Sequence, residues 1–199
     1  WRFQADRPLL VAAVSLPGHP GGGKCLELVD EPEAWVARRR EQVEHTRCFD
    51  ATIPNVRIDL GPVATAAFAG APMELVVDEQ TSWQTPIIDD MRSRPPLRLD
   101  PENAWWRRTM RLAEALVPDA AGDYLVTFPD LTGAIDALAN LRDPQHLLMD
   151  LYDVPDAVLE AANEVLEVWE AAFSGLHESC LNPQPRGAQP AGCIQWLHA

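Results

Sequence analysis

Basic side chains are scarce in this 199-residue chain: sixteen Lys and Arg stand against thirty Asp and Glu, for a formal charge of −14. Binding a phosphate backbone needs clustered cations that release counterions, and a net-negative surface repels nucleic acid and anionic membranes alike. Neither is expected as a partner. Long hydrophobic runs are missing too. The longest candidate, 63–77, is broken by Gly70, Pro72 and Glu74, short of the roughly 20 apolar residues that span a bilayer. Cysteines number four, at 25, 48, 180 and 193, with no C-x-x-C pair. That is sparse for a secreted disulfide framework, so reduced thiols in a cytoplasm are the expectation. The apolar run 9–16 has neither a basic leader nor a small-residue cleavage site, so no signal peptide is expected.

What remains is an ordinary globular composition, 47% hydrophobic and 23% charged, whose length fits a single domain over 1–199. Apolar runs of strand length, bounded by turn formers, lie at 9–16, 56–60, 74–77, 124–128 and 193–197. Helix starts are marked by an acidic residue before a first-turn proline at Glu31-Pro32, Asp100-Pro101 and Asp143-Pro144, and more loosely at Asp153-Val154-Pro155. From 155 to 177 the residues Val158, Leu159, Ala162, Val165, Leu166, Trp169, Phe173 and Leu176 recur at helical spacing, opposite a glutamate face. Such alternation of strand and amphipathic helix predicts an α/β fold with parallel strands covered by helices.

Two motifs fit their chemistry only in part. Gly18 to Lys24 matches G-x-x-x-x-G-K, a phosphate-cradling loop, but Cys25 stands where a hydroxyl should reach Mg²⁺ and no helix is launched before Pro32. A glycine-rich surface turn is the default. His177, Cys180, Cys193 and His198 have the types and number of a tetrahedral zinc site, yet Cys193 and His198 would face opposite sides of one strand. Arg38, Arg39 and Arg40 read as a solvated helix face beside Glu41 and Glu44, and Trp105, Trp106 and Trp169 as core packing. Acidic residues just after predicted strands are more suggestive: Asp59, Asp78 with Glu79, and Asp130. Strand carboxyl ends are where α/β folds bind ligands, although an Asp before Gly or Thr is also a common cap. Trp83 and Trp196, near strand ends, are candidate pocket walls.

The stretches Asp59-Leu60-Gly61-Pro62, Glu79-Gln80-Thr81-Ser82-Trp83 and above all 124–133 (YLVTFPDLTG) and 141–158 (LRDPQHLLMDLYDVPDAV) resemble the uroporphyrinogen decarboxylase superfamily, which includes cobalamin-dependent methyltransferases. The resemblance implies a (β/α)8 TIM-type barrel, and because a whole barrel needs about 250 residues, the chain is expected to be its N-terminal portion. It also implies a small-molecule substrate in a pocket built by Asp59, Asp130, Thr132, Gly133 and Trp83; no catalytic or metal residue is assigned. Decarboxylases of the superfamily grip an octacarboxylate with an arginine-rich N-terminal segment, and here only Arg2 and Arg7 stand there. Methyl transfer involving a corrinoid or small thiol is therefore narrowly favoured over decarboxylation. The methyltransferase reading brings zinc and a corrinoid, with a corrinoid protein as partner; the decarboxylase reading needs no cofactor. A homodimer suits either. The rivals are a nucleotide-binding protein and a non-catalytic barrel fragment.

Overall fold

The computed structural model describes residues 11–21, 23–50 and 52–184. In chain order its elements are β1 (Val11–Ser15), α1 (Pro32–Glu44), β2 (Thr46–Asp50), β3 (Asn55–Arg57), α2 (Ala64–Phe68), β4 (Met73–Val76), β5 (Thr81–Gln84), α3 (Ala104–Ala120), β6 (Leu125–Thr127), α4 (Ala134–Arg142), α5 (Pro144–Asp153) and α6 (Pro155–Leu176). A 3-10 turn at Leu26–Leu28 precedes α1, and a π-turn at His177–Leu181 follows α6.

First-turn prolines set the starts of α1, α5 and α6, where a missing N–H costs nothing and a fixed φ already suits the helix. Asp143 caps α5 as its position implies, accepting from the N–H groups of Gln145 and His146. The start expected at Pro101 moves to Ala104. Asn103 takes the cap, its side chain accepting from Trp105 and Trp106 N–H and donating to the Ala67 carbonyl of α2. In α6 the buried stripe is Val158, Ala161, Ala162, Val165, Val168, Ala172 and Leu176, whereas Leu159 and Leu166 are exposed.

The expected barrel, whole or partial, is not formed. Among the described residues the strands make three separate two-stranded sheets: β1–β2 and β4–β5 antiparallel, and only β3–β6 parallel. Two of the apolar runs thus pair with polar segments, TRCFD in β2 and TSWQ in β5, that carry no apolar signal of their own. β4 and β5 close through a tight turn with Gln80 in the left-handed region, a local pairing with little loop-closure entropy to overcome. The first run is not a buried strand either: in β1, Val11 is 75% exposed. The strand expected at 193–197, with Trp196 and the second half of the histidine–cysteine set, lies outside the described residues.

Val56, Val126 and Phe128 of the parallel pair are buried in one apolar core with Trp35, Leu112, Leu116, Leu138 and Val165. Around the pair, α3 packs on α1, α2 and β6, while α6 packs on α2, α4 and α5. The outer edge of β6 is closed by a side chain. The Gln184 carboxamide accepts from Val126 N–H at 2.8 Å and donates to Val126 O at 2.9 Å, reproducing one rung of a ladder. No helix among the described residues is long and apolar enough to cross a membrane.

Candidate functional site

Because β3 and β6 run parallel, with Arg57 opposite Thr127, the residues that follow them emerge at the same end of the pair. Asp59 follows β3, and Asp130, Thr132 and Gly133 follow β6. The common direction expected of these acidic strand ends is present for this one pair.

Asp59 is only 8% exposed and is wrapped by donors. Its Oδ1 accepts from Gly61 N–H at 2.9 Å and lies 3.2 Å from Lys24 Nζ, while its Oδ2 accepts from Arg57 Nε at 3.2 Å. The Arg57–Asp59 pair follows from strand geometry, since residues two apart share a face. Burial pushes the carboxyl pKa up, but the Arg57 and Gly61 hydrogen bonds and the charges of Arg57 and Lys24 outweigh it and hold it below the usual carboxylate range. A depressed folded value means stability that is present above the unfolded pKa of about 3.9 and lost as pH falls through the folded value. Asp59→Asn should therefore flatten the acid side of a stability profile. Urea midpoints measured from pH 3 to pH 7 check this, and an unchanged slope would refute it.

Lys24 reaches Asp59 from the glycine-rich loop, whose course is fixed by α1. Donors at positions 35, 39 and 42 lie on one helix face: Trp35 Nε1 donates to Lys24 O, Arg39 Nη1 to Gly23 O and Gln42 Nε2 to Gly21 O, at 3.0, 2.9 and 2.9 Å. The loop leads into a single 3-10 turn instead of a full helix, and its lysine is already engaged by Asp59. The solvated-face reading of 38–40 is corrected at two positions. Arg38 stays exposed beside Glu41, but Arg39 turns under the loop and Arg40 pairs with Asp119 and Asp123 across the molecule.

Gly61 has φ +109, and a Cβ there would lie 1.8 Å from Ser82 Oγ, so β5 presses directly on the turn after Asp59. The Ser82 and Thr127 hydroxyl oxygens are buried without a hydrogen-bond partner among the described residues. Beyond β6, a cavity of about 560 Å³ is lined by Asp130, Thr132, Gly133, Asp136, Leu166 and Trp169, together with Leu131 and Ala134. Trp169 Nε1 donates to Leu131 O at 3.0 Å and its ring stacks on Phe173, so one tryptophan serves both core and cavity wall. Thr65 Oγ1 of α2 donates to Thr132 O at 3.4 Å, joining the segments after the two strands.

Three of the five expected site residues, Asp130, Thr132 and Gly133, thus share one cavity. Asp59 stands in its own ion cluster and is absent from that lining. Trp83 is 61% exposed on β5 and is not among the residues lining this cavity. Lys24, Arg57 and Ser82 complete the Asp59 cluster; in sequence Lys24 falls in the glycine-rich loop and Ser82 in the family resemblance, neither as a neighbour of Asp59, and Arg57 is not named there. Only Arg57 carried a usable signal, its two-residue spacing from Asp59.

Among the described residues, His, Cys, Asp and Glu form no group of three able to hold a metal ion. Cys180 is fully buried, and burial pushes its thiol up to about 12, which keeps it protonated and inert. The described residues do not fit a zinc centre. No protein family model, curated protein or solved structure matches the chain.

Proposed function

We propose that the chain acts on a small molecule at the carboxyl end of the β3–β6 pair, as an enzyme moving a methyl group to or from a small thiol or a corrinoid. The reading joins the superfamily resemblance of 59–62, 79–83 and 124–158 to one observation: Asp130, Thr132 and Gly133 line a single cavity of about 560 Å³ just past a parallel strand. That volume lies within the usual range for small-molecule sites, and its lining pairs apolar Leu166 and Trp169 with a few convergent polar groups. In the transfer to a thiol, the sulfur lone pair forms the S–C bond while the donor–methyl bond breaks. The electron pair of the broken bond stays on the donor, and the thiol proton leaves to the Asp130 carboxylate or to water. Asp130 and Thr132 would orient the polar end of the substrate, with Trp169 and Leu166 excluding water.

Decarboxylation of a carboxylate-rich substrate is the second reading, favoured by one feature. Lys24 and Arg57 set two cations against the single carboxylate of Asp59, a local positive excess in a chain of charge −14.

Incubating the chain with methylcobalamin and homocysteine, and separately with uroporphyrinogen, tests both by thioether formation and CO2 release. Absence of both products sinks both readings. Where turnover is found, Asp130→Asn should lower it by about tenfold or more, the worth of a charge-assisted hydrogen bond, with the melting temperature little changed. Lost stability at unchanged turnover would instead make Asp130 a structural residue.

A further inference from the structure

A second cavity, of about 310 Å³, lies between α1, the β1–β2 ribbon and the start of β3, and shares no lining residue with the Asp130 cavity. Its polar wall is made by Arg39, Gln42, His19, Thr46, Cys48 and Asn55, and among the described residues no aspartate or glutamate lines it. In a chain with thirty acidic residues that is an unusual environment. Arg39 is the centre of it. Its Nη1 donates to two neutral acceptors, Gly23 O at 2.9 Å and Gln42 Oε1 at 2.8 Å, and its Nε is buried with no partner among the described residues. The other described arginines of α1 have carboxylates within ion-pair distance, Arg38 with Glu41 and Arg40 with Asp119 and Asp123; Arg39 has none among the described residues.

Arg39 is half-buried, and a guanidinium that keeps its proton is costly to hold there with a buried N–H unpaired and no described carboxylate in contact. Asp59 acts on Arg39 only from beyond ion-pair distance and is already engaged by Arg57, Gly61 and Lys24, while burial pushes the pKa of the neighbouring Cys25 thiol up and keeps it neutral. His19 adds a donor to the same wall: its Nδ1 accepts from Gly21 N–H at 3.0 Å, which leaves the proton of the neutral ring on Nε2.

We propose that this cavity binds a small molecule through an oxyanion group, a carboxylate or a phosphate, which makes the direct ion pair that no described carboxylate makes with Arg39. Val43, Ile53 and Val56, which also line it, would take the apolar remainder of the ligand.

Isothermal titration of the full chain with succinate and, separately, with inorganic phosphate at constant ionic strength tests it and shows which oxyanion is preferred. Saturable binding of at least one is expected, weakened by about tenfold or more in Arg39→Gln. A second variant, Cys48→Phe, fills the cavity from β2 and should abolish binding while leaving Arg39 in place. Circular dichroism establishes that each variant folds, and if Arg39→Gln does not, Cys48→Phe alone decides. Failure of both anions to bind below about 10 mM, or affinity kept within about twofold in a folded variant, would overturn the proposal.

Discussion

Gly61→Ala is expected to lower stability by roughly 2–4 kcal/mol, since it combines a disallowed backbone conformation with a collision in a packed interior. The native φ of +109 is open to glycine and strained for alanine, and the added Cβ would meet Ser82 Oγ at 1.8 Å and the Ser82 backbone nitrogen at 2.9 Å. A rotating side chain cannot relieve the second contact. Either β5 moves off the turn or the turn moves off β5, and in the second case the Gly61 N–H leaves Asp59. The melting temperature should fall by roughly 5–15 °C, and the variant should also lose part of the acid-side stability slope attributed to Asp59. A melting temperature within about 2 °C of the parent would mean that this close approach is absent in solution.

Trp35→Ala is the other large effect, at about 3–5 kcal/mol. Trp35 is fully buried on α1, and its indole N–H is one of three α1 donors that hold the glycine-rich loop. Truncation therefore removes core volume and frees Lys24 O together. Trp35→Phe separates the two contributions: most of the volume returns and the hydrogen bond does not, so its loss should be less than half that of Trp35→Ala. Guanidinium denaturation of the three proteins checks the order. Equal losses in the two variants would show that the hydrogen bond, and not the packing, dominates.

Local stereochemistry was legible in the sequence and long-range pairing was not. Pro32, Pro144 and Pro155 mark true helix starts because a ring-fixed φ acts within one residue. Apolar strand positions at 56, 75 and 126 were also readable, since burial on a strand leaves a short apolar run. What those strands pair with depends on segments that carry no such run. Thr46–Asp50 and Thr81–Gln84 are polar enough to pass for loops, yet they capture β1 and β4 in antiparallel ribbons and leave β3–β6 as the parallel pair. The barrel rested on the family resemblance, and the strand–helix alternation that agreed with it did not include them.

The candidate site divides in the same way. Asp130, Thr132 and Gly133 are consecutive enough for one turn to bring them together, and they share a cavity. Trp83 depended on which face of an unrecognised strand it would occupy. Arg39 was hidden for a different reason: its place in the run with Arg38 and Arg40 reads as helix surface, and that surface is covered by the glycine-rich loop, whose Gly23 carbonyl accepts from it. No periodicity within α1 reports a loop that arrives from outside it.

The Gln184 rung on β6 bears on how this small sheet ends. A strand margin normally offers its amides to any passing chain, and that invitation is what seeds aggregation. Here a single flexible arm occupies the Val126 position with both halves of its amide. The same amide nitrogen also donates to Cys180 O at 2.6 Å, so the margin of β6 is latched to the turn that follows α6.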